Sequence, residues 1–380
     1  MASLRRGRDQ GETDLGAWEE AIRNAVLRYG AQLLEGLLAE AGCGRRKEPL
    51  LDPDGQPMQS IGVRSKTITT LLGEVTLRRS VFEDKKGSLT RIPMDESLGV
   101  EGTSFSPGVW RFMARAGSMS SFAQASQDLA IYAHLVVTPK QVQRVAEDVG
   151  REVEDWINRQ GFPNNVADDP APVPILYVSF DGTGVPMTYV GAIESSQLFG
   201  LRIYQEAVRR GCEQSGQIVV FTDGARYNKT ISSTHFPGAI HIIDLYHARE
   251  HLTDLSKDIG ADQAQLSAWK DLLDMGRVEE LIQEASSRID NLPIDAQAAD
   301  ECRKHLPYFR DNAEAMRYAQ FRRAGNFVGS GVIEAGCRTV VGQRLKHSGM
   351  FWSLRGANAI IASRCCQLSG RLEDFWEEAA

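Results

Sequence analysis

The chain contains no Cys-x-x-C pair. Its six cysteines (Cys43, Cys212, Cys302, Cys337, Cys365 and Cys366) are scattered over 380 residues. No zinc ribbon or redox motif can be read from that spacing, and reduced, inert thiols of a cytosolic protein are expected. No apolar run approaches the ~18 residues that a membrane span needs. Met1 to Gly16 is polar and charged, so no secretory signal is expected. Internal repeats and low-complexity tracts are also missing. Disorder throughout is excluded, because it needs low hydrophobicity with high net charge, and this chain is 42% hydrophobic at a net charge of −7. What remains is a globular chain long enough for two or three domains of roughly 100–200 residues each.

The mild acidity hides an uneven distribution. From Cys302 to Arg364 eleven lysines and arginines meet three acids, a local +8. Tyr308, Phe309, Tyr318, Phe321, Phe327, Phe351 and Trp352 are interleaved with them. Cations among aromatic rings suit a phosphate backbone with stacked bases. A solvated basic helix face gives the same composition.

Along the chain the periodicity changes several times. Trp18 to Ala41 repeats apolar residues at helical spacing, which suggests packing or self-association. The run KTITTLLGEVTLRRSVF, residues 66–82, reads as two strands around Gly73. Phe105 to Gly161 is helical. Within it, a short helix from Ser121 to Leu129 and a second one, capped by Thr138 and opened by Pro139, make a helix-turn-helix candidate. Lys140, Gln143 and Arg144 lie early in its second helix. Pro170-Ala-Pro-Val-Pro174 is a stiff linker. Three buried strands follow, Ile175–Phe180, Gln217–Thr222 and Ala239–Ile243, with helices between them, which argues for a mixed α/β sheet. Ala248 to Arg323 is helical by composition. A last pair of helices is expected over Val332–Lys346 and Ser353–Leu368.

Carboxylates mark the strand ends. Asp181 and Asp223 each precede glycine after a strand, and Glu334 opens a helix entered through Gly329-Ser-Gly331. An Asp at the carboxyl end of a central strand points to the crevice where open α/β sheets place ligands. Three such acids could hold two Mg²⁺ ions, which prefer oxygen ligands and serve phosphodiester displacement. Each residue has a plainer use as well: a turn after a strand, or a charge near a helix start. Asp244-x-x-His247, with Arg249, Glu250 and His251 nearby, is a further cluster. It reads as a metal site with His247 and His251 on one helical face, as a polar strand-to-helix junction, or as support for the acids.

These segments carry a resemblance. FPGAIHIIDLYH (residues 236–247) and the stretch from Val328 to Trp376 resemble bacterial insertion-sequence transposases of the Kra group. FDGTGVP, YVGAIES and, more loosely, LLGEVTLRRSVF and SFSPGVWRFMARAGS are similar too, so the likeness covers most of the chain. It implies a DDE enzyme distantly similar to mutator-like transposases, with an RNase H-like catalytic core and a helical insertion. A mainly helical N-terminal region with a small β element would precede the core. By motif, Asp181, Asp223 and Glu334 resemble the three catalytic, metal-holding acids, and Asp244 and His247 the accessory D-x-x-H element. Asp244 is the alternative second acid. Arg338, Arg344, Lys346 and Arg355, with Lys140 and Arg144, would contact DNA.

The implied organisation is 1–47 helical, 48–103 β-rich, 104–169 DNA-binding, 170–247 first core part, 248–326 insertion and 327–380 second core part. Two Mg²⁺ (or Mn²⁺) ions, double-stranded DNA and a second copy of the chain would be its partners, in the cytoplasm on the bacterial nucleoid. The implied chemistry is cleavage at an element end followed by strand transfer to target DNA.

Two departures stand out. The group carries a C-x-x-C zinc element after the second strand, whereas Phe82-Glu-Asp-Lys-Lys-Gly87 stands here, so no zinc is expected. Only 42 residues separate Asp181 from Asp223. That leaves little room for the two antiparallel strands an RNase H-like sheet places there. The alternative expectation is therefore a catalytically impaired or domesticated remnant that binds DNA.

Overall fold

Helices in this chain start where a short polar side chain can take the free amides of the first turn. Asp14, Ser106, Ser121, Ser195, Asp262, Asp295 and Ser353 each accept a backbone N–H in this way. The structure is a computed structural model that describes residues 14–44, 48–160, 174–180, 189–329, 338–346 and 349–379. It divides into two compact units, Met1–Ala146 and Glu147–Ala380.

In the first unit α1 (Leu15–Glu40) lies on a hairpin of β1 (Gln59–Thr70) and β2 (Gly73–Glu83). Gly73 makes the turn at φ 128°, a backbone conformation that costs glycine nothing. The sheet is antiparallel, in the order β1, β2 and a short β3 (Thr90–Arg91). Period-two alternation sends Val75 and Leu77 inward against Ala31, Leu34 and Leu38 of α1. Beside them α2 (Pro93–Leu98) carries Asp95, a buried carboxylate held by Lys66 Nζ at 3.1 Å and by Arg79 at 2.5 Å.

Three helices follow: α3 (Pro107–Met119), α4 (Phe122–Ala133) and α5 (Pro139–Arg159). A Cβ on Gly117 would fall 2.8 Å from that of Ala146, so α3 and α5 approach closely there. The connection His134–Thr138 is short, and His134 ends α4 in the left-handed region. Thr138 and Gln141 exchange hydrogen bonds in a reciprocal box at the start of α5. The division between units falls within α5, after Ala146. The proline-rich stretch expected as a linker lies almost wholly outside the described residues.

The second unit is mixed α/β. Three parallel strands, β4 (Leu176–Ser179), β5 (Ile218–Thr222) and β6 (Ile240–Ile243), pair in that order. Between them run α6 (Ser196–Arg209) and α7 (Arg226–His235). Alternation along β5 sends Val220 to the α6–α7 side with Val178 and Phe180, and Val219 and Phe221 to the opposite side. That opposite side is covered by α8 (Leu245–Asp258), α9 (Gln263–Asp274), α10 (Val278–Asp290), α11 (Ala296–Arg303), α12 (Leu306–Asn312) and α13 (Tyr318–Arg323). Helices on both faces are what a parallel sheet requires, because its strands are apolar on both sides.

The chain ends with α14 (Leu354–Leu368) and α15 (Leu372–Glu378). In α14 every residue from Ala359 to Cys366 is buried. Its Gly150-facing side sits against α5: a Cβ on Gly150 would lie 2.2 Å from the Ala359 carbonyl oxygen. Burial pushes the Cys365 thiol up to about 12 and that of Cys366 up to about 11, so both are inert. Among the described residues no helix is long and apolar enough to cross a membrane.

Candidate functional site

The carboxyl ends of β5 and β6 are level. Thr222 pairs with Ile243 as the last residues of the two strands, and each is followed at once by an aspartate, Asp223 and Asp244. The Asp244 amide donates to the Thr222 carbonyl at 2.9 Å, tying the two junctions together. β4 ends on the same edge, where the Phe180 amide donates to the Phe221 carbonyl. The C-terminal segment is delivered there too. Leu245 N–H donates to the Val328 carbonyl at 3.0 Å, and a Cβ on Gly329 would touch the Tyr246 ring. Strand ends in parallel register, closed by a returning segment, form the edge where α/β sheets receive ligands.

Both aspartates also do local work. Asp223 Oδ1 accepts from Ala225 N–H and from Asn228 Nδ2, each at 2.8 Å. Asp244, which is buried, accepts from Tyr246 N–H at 2.7 Å and His247 N–H at 3.3 Å through its Oδ1, and so caps α8. The backbone of Asp223 is held from the helical block: Tyr308 Oη donates to its carbonyl at 2.9 Å. The Tyr308 ring stacks on His251, and burial, then the charge of Asp223, push its phenol far above the usual tyrosine range. Sequence reasoning did not single out Tyr308 for this position. Its place opposite Asp223 depends on how the helical block folds back, which no local pattern shows.

Asp181 and Glu334 lie outside the described residues. The chain on either side of Glu334 is tied down, however. Val328 is bonded as above, and the π-helical turn Arg338–Gly342 is gripped by Arg364 of α14, which donates to the Thr339 and Val340 carbonyls. Oxygen donors such as Asp223 and Asp244 match the chemistry of Mg²⁺. Two aspartates, each with Oδ1 engaged in local hydrogen bonds, are only part of a site for such an ion. Among the described residues no three His, Cys, Asp or Glu side chains gather as a metal ion would need.

Asp244, His247, Glu250 and His251 are each engaged locally. His247 Nδ1 faces Glu250 at 3.3 Å, His251 stacks on Tyr308, and Asp244 turns back to its own helix. The junction behaves as a polar strand-to-helix connection, and its neighbourhood to Asp223 suits support of that acid.

The basic block needs a correction. Arg344, expected to face phosphates, is buried, with its guanidinium 4.9 Å from the centre of the Trp352 ring. Burial, and secondarily the charge of Arg364, lower its pKa to about 10. Arg303 pairs with Asp290 and Asp300, Lys304 with Glu301, and Arg317 with Glu279 and Glu314. Much of the local +8 is therefore neutralised by acids just upstream in sequence. Phe309 and Tyr318 are core residues, not platforms for bases. Arg338, Lys346 and Arg355 remain exposed in the second unit, and Lys140 and Arg144 in the first.

No protein-family model matches the chain, and no curated protein matches it.

Proposed function

We propose that the chain is a DDE transposase with an RNase H-like core, which cuts DNA at the ends of an insertion element and joins it to target DNA with Mg²⁺ or Mn²⁺. One observation carries the reading: Asp223 and Asp244 follow level ends of neighbouring parallel strands, on the edge to which Val328, six positions before Glu334, is bonded. Asp181 follows in sequence directly on Phe180, the residue after β4. Asp181, Asp223 and Glu334 would hold two ions, with Asp244 and His247 beside them. Bound there, the ions would supply stabilisation of charge on the entering and leaving oxygens of a phosphodiester.

The chain's own part is placement, on which phosphoryl transfer mainly depends. Tyr308 fixes the Asp223 backbone, Arg364 fixes the turn after Glu334, and exposed Arg338, Lys346, Arg355, Lys140 and Arg144 offer cations to phosphates. The reading places the enzyme on nucleoid DNA in the bacterial cytoplasm, acting as a dimer that brings two ends together. Its test is Mg²⁺-dependent cleavage of a duplex carrying the DNA that flanks the gene. Cleavage by wild type but not by Asp181→Ala or Glu334→Gln is expected, and equal activity in all three overturns the mechanism.

A second reading is favoured by a separate observation. Among the described residues β4 is paired on one side only, where an RNase H-like sheet would place two more strands. A catalytically impaired remnant that retains DNA binding fits that edge. Converging acids repel one another, so Mg²⁺ raises the melting temperature of the transposase by binding the native state. DNA binding without any Mg²⁺ or Mn²⁺ effect on melting selects the remnant.

A further inference from the structure

Helix α1 has two apolar faces and uses one. Ala31, Leu34 and Leu38 serve the core against the hairpin. On the other side Leu15, Trp18, Ile22, Val26, Tyr29, Leu33 and Leu37 are all at least half exposed, from 51% at Leu33 to 65% at Leu15 and Leu37. Only Ala31 in the whole helix is buried. A helix apolar on two sides is a helix that packs on two sides, and an exposed stripe of this length marks an interaction surface.

The spacing identifies the occupant. The stripe advances by three, four and four residues, twice over, so that Leu15, Val26 and Leu37 repeat every eleven positions, as do Trp18 and Tyr29, and Ile22 and Leu33. Eleven residues are close to three turns of an α-helix, which keeps the stripe nearly straight and matches helix-on-helix packing with a slight right-handed coil. Reversed, the stripe falls on itself: Trp18 meets Leu37, Ile22 meets Leu33, and Val26 meets Tyr29. Such self-complementarity is the signature of a two-fold interface between identical surfaces.

Charge selects the antiparallel arrangement. Glu40 lies on the line of the stripe at its end and Glu19 on its border. A parallel pair would set each against its own copy. The antiparallel pair brings Glu40 to the partner helix's amino-terminal end, where the dipole favours an anion. The seven side chains offer roughly 800 Å² per helix, about what a standard stable interface takes from each partner.

We infer that α1 pairs antiparallel with α1 of a second copy of this chain, through Trp18, Ile22, Val26, Tyr29, Leu33 and Leu37. The pairing is independent of any catalytic reading. The test is the oligomeric state of the full chain by analytical ultracentrifugation, with far-UV circular dichroism as a check on folding. Wild type is expected to be dimeric at micromolar concentration. Ile22→Lys and Leu33→Glu, each on the exposed face, are expected to raise the dissociation constant at least about tenfold with unchanged dichroism. The double variant is expected to recover the dimer, because each new cation then faces a new anion across the antiparallel seam. Should a charged variant misfold, Val26→Ser read the same way replaces it. A monomeric wild type, or single variants as dimeric as wild type, overturns the interface; a double variant that stays monomeric overturns the antiparallel register.

Discussion

The rings of His251 and Tyr308 stack with centroids 3.8 Å apart, and the Tyr308 hydroxyl reaches on to the Asp223 carbonyl. The helical block thus does more than fill space behind the sheet: it clamps the loop after β5. Gly224 completes the clamp, at φ 91° and with its Cα so near the tyrosine that a Cβ would lie 2.8 Å from Cε2. Tyr308→Phe keeps the stack and removes one hydrogen bond, a loss of about 1 kcal/mol in urea unfolding. Gly224→Ala adds backbone strain of roughly 1–3 kcal/mol and displaces the ring, so it is expected to cost more. A Tyr308→Phe protein as stable as wild type would show that the clamp carries no load.

Acid should loosen the sheet through His241. Burial, helped by the charge of Lys229, lowers its pKa to about 4, and its Nε2 lies 2.8 Å from Thr222 Oγ1. An unfolded histidine titrates near 6.5. Its full contribution is present above that value. It falls as pH drops from about 6.5 to about 4, since the unfolded chain takes the proton first. The loss over this window is on the order of 3 kcal/mol, from the shift of the pKa. Carboxylates titrate in part of the same range, so the comparison that counts is wild type against His241→Gln. The variant's stability should change less between pH 7 and 4.5, and parallel pH profiles would rule the histidine out.

Local pattern carried much of the fold into view. Ser121, Thr138 and Ser353 announce helices by the chemistry of their side chains, and the two helix-separated strands followed by Asp223 and Asp244 stand where their apolar runs put them. Surface charge was not legible in the same way. Arg303, Lys304 and Arg317 look like a field in sequence, but Asp290 and Glu279 from neighbouring helices pair with Arg303 and Arg317, and Glu301, three positions back in sequence, pairs with Lys304. Arg344 and Arg364 run against the rule that arginine is seldom fully buried. They are drawn inward by Trp352 and by the carbonyls of a π-helical turn, neither of which has a sequence signature. The seam on α1 was visible as helical periodicity, while its exposure emerged only once the hairpin was seen to cover a different face.

Gly150 offers a test of the packing between α5 and α14. In an open helix, alanine in place of glycine is favoured by roughly 1 kcal/mol. Here the new methyl would sit 2.2 Å from the Ala359 carbonyl oxygen and 2.6 Å from its carbon, both backbone atoms. No side chain can swing away, so one helix must move. Gly150→Ala is expected to destabilise by about 3 kcal/mol, at the upper end of overpacking costs. A melting temperature equal to or above wild type would mean that the helices are less closely seated.

Asp223 and Asp244 are separable by their amides. In each residue Oδ1 accepts local bonds that an asparagine Oδ1 keeps: the Ala225 amide and Asn228 at Asp223, and the cap of α8 at Asp244, where asparagine and aspartate serve about equally well. Asp223→Asn and Asp244→Asn therefore remove a charge while leaving the turn intact, and urea unfolding should confirm that both remain folded. If Asp223 holds an ion, losing its charge removes several kcal/mol of transition-state stabilisation, a fall in Mg²⁺-dependent cleavage of about a thousandfold. If Asp244, buried and turned to its own helix, acts only by orienting its neighbours, its loss should cost about 10–100-fold, as that of outer partners of metal sites does. The reverse order would make Asp244 the second catalytic acid and leave Asp223 as the residue that holds the turn into α7.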